Sequence, residues 1–387
     1  MKPRRVVVTG IGVITPLDSG SGVNEFWKEL IAGQDAVREI TSFDSAPYAS
    51  HIAAEVSGVS FKGGDRWLYF LDTAFKGALI DSGLFDRPDI LANAGLYIGT
   101  VLGGILAGQL AWAGCGAKPA SYHLYSGIAH LAERMGLKGD TLTVSTACAS
   151  GTDAIGIAYR RILWGKADIM IAGGADTLSE FAFSGFNSLR ALTKTKVRPF
   201  DKNRDGLALG EGACFLVLEE AAFAERRGAQ SYGLVSGYAS MSDARHLTAP
   251  DREGAGLMGA IQAAFSESGL KRPGYINAHG TGTPYNDVME TRAIKSAFGQ
   301  SAYEIPISSI KSMIGHSFGA GGAIEVAACL LAMRHGCLPP TINYQEKDAD
   351  CDLDYVPLNA RTIAINSAMS LSAGFGGQNA AIVFEKT

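Results

Sequence analysis

The chain alternates short apolar runs with longer stretches whose apolar residues recur every three to four positions. The short runs predict strands at 5–11, 95–99, 141–145, 168–173 and 214–219. Five more follow at 232–238, 275–278, 305–308, 363–367 and 380–385. The helical period predicts helices over 24–32, 67–81, 127–135, 155–164, 256–268, 288–298 and 323–334. Gly33, Gly83, Gly136, Gly165, Gly228 and Gly299 stand at or near helix ends, where a left-handed residue stops a helix. This alternation argues an α/β architecture with substantial parallel sheet.

A faint internal repeat sharpens that reading. Ser150–Ala158 can be laid over Gly319–Ala327, so that Ala154, Ile155 and Ala158 match Ala323, Ile324 and Ala327. Each segment follows a strand and a turn of small residues. Two similar halves meeting at a shared site are expected, 1–228 and 229–387, with the join near residues 220–235 and no low-complexity linker.

Composition narrows the class. With 387 residues, 47% hydrophobic and 19% charged, the chain can bury a large core. Its net charge of −4 and lack of a long basic run argue against nucleic acid as a partner. The six cysteines include no Cys-x-x-Cys pair and read as reduced thiols, without a zinc site or disulfide frame, in a cytoplasmic protein. Residues 1–5 followed by an apolar run look like a leader, but Gly10 and Gly12 break the run, so a buried first strand is expected. No segment is long and apolar enough for a membrane span.

Cys148 is the most informative single residue. A β-branched strand delivers it to the start of a helical run, where unpaired N–H groups and the helix dipole favour a thiolate. Ala147, Ala149 and Gly151 leave room for a bulky substrate. That layout suits a nucleophile for acyl transfer through a thioester, with a thiol pKa below the free value of about 8.5.

Three later motifs carry further chemistry. His279 ends a strand and enters the hydroxyl-rich turn His279-Gly-Thr-Gly-Thr-Pro. Lys311 and His316 share a glycine-rich turn between a strand and a helix, in which the order of a Walker phosphate loop is absent. The turn Gly374-Phe-Gly-Gly-Gln-Asn379 offers backbone N–H groups to an oxyanion. Each has a bland reading alone, as a structural histidine, an exposed lysine or a plain turn.

Together these motifs resemble the β-ketoacyl-acyl-carrier-protein synthases of the thiolase-like superfamily, nearest the elongating ketosynthase I/II branch and the type II polyketide ketosynthases. The resemblance runs from Val7-Val-Thr-Gly-Ile-Gly-Val-Ile-Thr-Pro16 to Gly374-Phe-Gly-Gly-Gln-Asn379 and includes Arg198-Pro-Phe-Asp-Lys-Asn-Arg-Asp-Gly206, a stretch that also reads as a buried structural ion-pair turn. It implies a layered αβαβα fold of two similar halves. It implies decarboxylative Claisen condensation of a Cys-bound acyl group with malonyl-carrier, in fatty-acid or polyketide elongation.

Carried over by position, Cys148 accepts the acyl group, and His279 and His316 promote decarboxylation. Lys311 and Glu325 organise the surroundings of the second histidine, His316. The N–H groups of Cys148 and Phe375 form the oxyanion hole, and Phe375 is a gate on the hinge glycine Gly376. Thr281 and Thr283 contact the phosphopantetheine arm, and Phe186 lines the acyl pocket. The resemblance implies no metal or organic cofactor, an acyl carrier protein as partner, and a homodimer or a heterodimer with a related ketosynthase-like subunit.

The departures concern substrate rather than chemistry. Gln378 stands where threonine is usual, and Leu207 where phenylalanine is common. Residues 103–126 form a shorter segment than in housekeeping enzymes and carry Trp112, Cys115 and Tyr122. A specialised secondary-metabolite ketosynthase therefore stands beside fatty-acid elongation. A non-catalytic partner subunit and a thioester hydrolase are the remaining alternatives.

Overall fold

The computed structural model describes residues 4–18, 20, 22–58, 65–114 and 122–387, so Cys115 and the leader-like residues 1–3 lie outside the described residues. The main sheet contains β1 (Val6–Ile14), β2 (Gly95–Gly99), β3 (Thr141–Val144), β4 (Ile169–Asp176) and β5 (Gly212–Glu220). It continues with β6 (Gly233–Ser242), β7 (Ile276–Asn277), β8 (Ile307–Ser308), β9 (Ser367–Gly374) and β10 (Gln378–Glu385). The longer helices are α1 (Val23–Ile31), α2 (Arg66–Asp81), α3 (Ile105–Trp112), α4 (Ser126–Met135) and α5 (Ser150–Leu163). After these come α6 (Glu180–Ser188), α7 (Ala255–Ser268), α8 (Pro284–Phe298) and α9 (Phe318–His335).

The strand order is β8-β7-β9-β10-β6-β1-β5-β4-β2-β3. Outward from the central β1–β6 pair, each strand of one half has a counterpart in the other: β5 with β10, β4 with β9, β2 with β7, β3 with β8. The helices follow the same rule. α2 packs outside β1 and β5, and α7 outside β6 and β10. α5 and α9 pack on each other inside, touching strands of both halves. The result is five layers, helix–sheet–helix–sheet–helix, as the sequence reading expects.

The inner layer explains the composition of α9. Every residue from Phe318 to Met333 is buried, and apart from Glu325 the helix is apolar or small on all sides over that span. Gly10 and Gly12 do not end β1, which continues to Ile14 because α2 lies hard against it. A Cβ on Gly12 would sit 1.9 Å from the Ala74 carbonyl oxygen. Parallel pairing makes up the two ends of the sheet, and its centre is antiparallel. No helix among the described residues is long and apolar enough to cross a membrane.

Candidate active site

Cys148 lies on the turn between β3 and α5, two residues before the first residue of the helix. The turn is strained: Ala147 has φ 51°, a left-handed conformation that costs a residue with a Cβ on the order of 1–3 kcal/mol. Local bonds hold it there. Thr146 N–H donates to Ser150 Oγ at 2.9 Å, and Ser150 Oγ–H donates to the Ala147 carbonyl at 2.6 Å.

His279 follows β7. Its own N–H and that of Gly280 donate to the buried carboxylate of Glu290, at 2.6 and 2.8 Å. Asp287, one helical turn earlier on α8, accepts the N–H groups of Gly282 at 3.2 Å and Phe200 at 2.7 Å. Two carboxylates spaced i, i+3 thus staple the His279 turn to the helix it leads into. Burial pushes Glu290 up to about 8, against the pull of the Gly280 N–H. Sequence reasoning missed both acids. Their signal was present: acidic residues in the first two turns of the helix after His279-Gly-Thr-Gly-Thr-Pro.

His316 sits just before α9. Its backbone is tied to the segment ahead of β5, with N–H donating to the Ala208 carbonyl at 2.8 Å and C=O accepting from Gly210 at 2.9 Å. Its Nε2 is 3.0 Å from Cys148 Sγ. Its Nδ1 is buried and has no hydrogen-bond partner among the described residues. An unpaired buried acceptor costs less than an unpaired N–H, so the ring keeps its proton on Nε2, facing the sulfur. The two imidazoles stand edge to face, with ring centroids 5.3 Å apart. Burial first, then the Lys311 charge, holds both well below the ordinary histidine value, so both are neutral at pH 7.

Lys311 is buried, ion-paired with Glu325, and places Nζ 3.2 Å from His279 Nδ1. This corrects one expectation: the Lys311–Glu325 pair contacts the first histidine and not the second. The ammonium donates to Nδ1 and leaves the His279 proton on Nε2. Cys148, His279 and His316 present ligand atoms within 4.8 Å of one another. A nitrogen that carries a proton is a donor and not a metal ligand, so this set is built to hydrogen-bond an oxygen.

The Cys148 thiol contradicts a second expectation. Burial pushes it up to about 11, against the pull of the Lys311 charge and of the Phe375 and Cys148 N–H groups. The resting thiol is therefore protonated. The same two N–H groups mark an oxyanion site beside the sulfur. Gly374 must lack a side chain there, since a Cβ would lie 2.9 Å from the Cys148 nitrogen.

Phe375 caps this corner on the turn between β9 and β10. Its ring stacks on Phe186 at 5.5 Å and 16°, and Phe186 meets Phe318 edge to face at 5.9 Å. Gly376 and Gly377 both have positive φ, 79° and 72°. Gly376 is exposed and donates its N–H to the Leu247 carbonyl at 2.7 Å. It lies outside the cavity lining, on the turn that carries Phe375.

A cavity of about 360 Å³ joins Cys148, His279, His316, Thr281, Thr283 and Phe375. The Thr281 and Thr283 hydroxyls are 2.9 Å apart in its wall, and Phe186 and Leu207 line it as well. Lys311 and Glu325 stand behind it. The Arg198–Gly206 stretch is the expected structural turn: Arg204 is ion-paired to Asp348 and donates to the Asp201 carbonyl at 2.7 Å, while the Asp201 carboxylate accepts from Gln345 and Glu346 N–H.

Comparison with known proteins places this geometry. The N-terminal domain model of the β-ketoacyl synthases matches residues 3–224, and the C-terminal domain model matches 232–345. The ketoacyl synthase alpha subunit of the tetracenomycin polyketide synthase of Streptomyces glaucescens is 40% identical, covering 98% of this chain and 97% of that protein. The 3-oxoacyl-[acyl-carrier-protein] synthase 2 of a Synechocystis species is also 40% identical, covering 100% and 99%. The ishigamide ketosynthase/chain length factor superposes with a TM-score of 0.92 at 35% identity, covering 100% of both chains. A type II polyketide ketosynthase, solved with its acyl-carrier protein and bound to the hexaketide, gives 0.91 at 34% identity, again over the whole of both chains. The chain belongs to the β-ketoacyl synthase family, whose members are acyltransferase-type condensing enzymes.

Proposed function

We propose that this chain elongates a carrier-bound acyl group by decarboxylative condensation with a malonyl unit, Cys148 taking the acyl group and His279 and His316 acting on the malonyl thioester. One observation carries the reading: two neutral imidazoles converge with a helix-terminal cysteine in a single cavity. Cys148 sulfur attacks the acyl thioester, and its proton ends on the departing phosphopantetheine thiol. The N–H groups of Cys148 and Phe375 hold the tetrahedral oxyanion. Malonyl-carrier follows, its arm placed by Thr281 and Thr283. As carbon dioxide leaves, the electron pair of the broken C–C bond moves onto the thioester oxygen. That oxygen accepts the Nε2–H bonds of His279 and His316. The enolate carbon then attacks the acyl-Cys148 carbonyl, and the C–S bond breaks with Cys148 leaving as thiolate. The thiolate takes a proton from water to restore the resting thiol, and the β-ketoacyl chain remains on the carrier.

Lys311 and Glu325 act through His279, Phe186 lines the acyl pocket, and Phe375 gates it. The units are the halves 1–228 and 229–387. The protein works in the cytoplasm with an acyl carrier protein, as a homodimer or beside a ketosynthase-like subunit. Solved relatives include both a ketosynthase with its carrier and a ketosynthase with a chain length factor. Fatty-acid and polyketide relatives are equally similar in sequence, so the reading stops at the shared chemistry. Mass spectrometry of the protein given acyl-carrier and then malonyl-carrier tests it. A stable adduct on Cys148 followed by a chain two carbons longer is the expected result. Free acid would indicate a hydrolase, and no adduct a scaffold; either overturns the reading.

A further inference from the structure

We propose that Asp153 is a positioning residue for the nucleophile, holding the strained turn before Cys148 in register through Thr146 and anchoring it to the other half of the molecule through Tyr238. The inference rests on the reading of Cys148 as the acyl acceptor. Asp153 lies in the first turn of α5, buried, in the inner helical layer. Thr146 donates to its Oδ2 at 2.6 Å, and Tyr238 donates to its Oδ1 at 2.9 Å. Thr146 immediately precedes Ala147, whose left-handed conformation aims Cys148. Tyr238 comes from β6, a strand of the second half. Its ring lies so close to α5 that a Cβ on Gly156 would be 2.2 Å from a ring carbon. The carboxylate therefore joins the nucleophile turn, the inner helix and the opposite sheet at one point.

The location gives the bond its leverage. A residue kept in an unfavourable conformation persists only where its surroundings over-determine it. Ser150 holds the turn from the helix side, and Thr146 N–H and Ala147 C=O are both already taken by it. The Thr146 carbonyl accepts the Ala149 N–H at 3.2 Å, and the Thr146 hydroxyl is the tie that reaches beyond the turn to a side chain, Asp153. The Cys148 N–H moves with this turn, so loosening it displaces an oxyanion donor as well as the sulfur. His279 follows β7 and Lys311 opens a short helix, Lys311–Ile314, both in the second half, and neither is bonded to Asp153. The expected defect is thus selective for the acyl-transfer half-reaction.

The test compares Asp153→Ala, Asp153→Asn and Tyr238→Phe in the full-length protein. Three readouts are taken: acylation of Cys148 from acyl-carrier, carbon dioxide release from malonyl-carrier, and alkylation of Cys148 by iodoacetamide. Asparagine can keep both contacts, its carbonyl accepting from Thr146 and its amide donating to Tyr238 Oη. Asp153→Ala is expected to slow acylation at least tenfold and to change the alkylation rate, with carbon dioxide release within about threefold of wild type. Asp153→Asn should restore most of the acylation. Tyr238→Phe keeps the ring against Gly156 and serves if Asp153→Ala does not fold; it should slow acylation about threefold without a matching loss of carbon dioxide release. Equal loss of both half-reactions, an asparagine variant as damaged as the alanine one, or unchanged acylation in both Asp153→Ala and Tyr238→Phe overturns the proposal. Alkylation needs no carrier substrate, so it reports on the turn even where the condensation reading fails in the wild type.

Discussion

Lys311 Nζ lies 3.2 Å from His279 Nδ1, and this one contact decides which nitrogen of His279 faces the substrate. The ammonium can only donate, so Nδ1 accepts and Nε2 keeps its proton. Lys311→Met removes that bias and leaves Glu325 buried without its cation. Loss of one aligned donor to a developing oxyanion costs on the order of 10²–10³ in rate. Carbon dioxide release from malonyl-carrier should fall by that factor while acylation of Cys148 stays within about threefold. A variant with normal carbon dioxide release would show that the tautomer is set elsewhere.

Much of this candidate site was legible in the sequence, because its residues sit where elements end. Cys148 and His279 each follow a strand and His316 sits between the short helix Lys311–Ile314 and α9, all in turns of small residues, and the pattern marks such seams well. The six glycines read as helix stops all have positive φ. What failed was the register of elements without a strong pattern. The strand expected at 363–367 is β9, Ser367–Gly374, whose sequence Ser-Ala-Met-Ser-Leu-Ser-Ala-Gly lacks β-branched residues. It is buried between β7 and β10, so neighbours and not propensity make it a strand. Likewise α9 begins at Phe318, five residues ahead of the expected start, because Gly319, Gly321 and Gly322 hide the helix from a propensity reading. The Lys311–His279 contact was illegible for another reason: it joins residues from two separate turns, and only the packed second half brings them together.

The thiol makes a sharper test of burial against helix dipole. Position at a helix start favours the thiolate, yet burial dominates and pushes Cys148 up to about 11. Iodoacetamide labelling of Cys148 should rise with pH and show a midpoint above the free-thiol value of about 8.5. Cys148→Ala should abolish acylation outright. A midpoint below 8 would mean that the helix terminus and Lys311 outweigh burial.

Phe375 distinguishes a gate from a core plug. Its ring is only half-buried, stacks on Phe186, and rides on two glycines with left-handed φ. A fully buried phenylalanine costs roughly 3–5 kcal/mol when cut to alanine. Phe375→Ala should cost well under that, about 1–2 kcal/mol, and should shift the relative rates of acylation by short and long acyl-carriers. A sharp drop in melting temperature with unchanged acyl preference would identify a plug.

The buried histidines also set an acid limit on stability. His316 is held well below its ordinary value in the fold, whereas the unfolded chain takes up its proton near pH 6.5. Below that pH the unfolded state binds more protons, so stability falls as pH falls and is regained as pH rises back through 6.5. Glu290 and Glu325, pushed up to about 8 and about 7 by burial, work the other way. They hold protons that the unfolded chain releases above about pH 4.5, so they add stability as pH falls. The histidine contribution is therefore read as a difference. Between pH 6 and pH 5, wild type should lose about 1 kcal/mol per pH unit relative to His316→Asn, the slope of a single proton taken up only on unfolding. Urea unfolding at half-unit pH steps measures it. Parallel curves for the two proteins would mean that His316 titrates alike in the folded and unfolded chain, and the lowering of its pKa by burial would then be refuted.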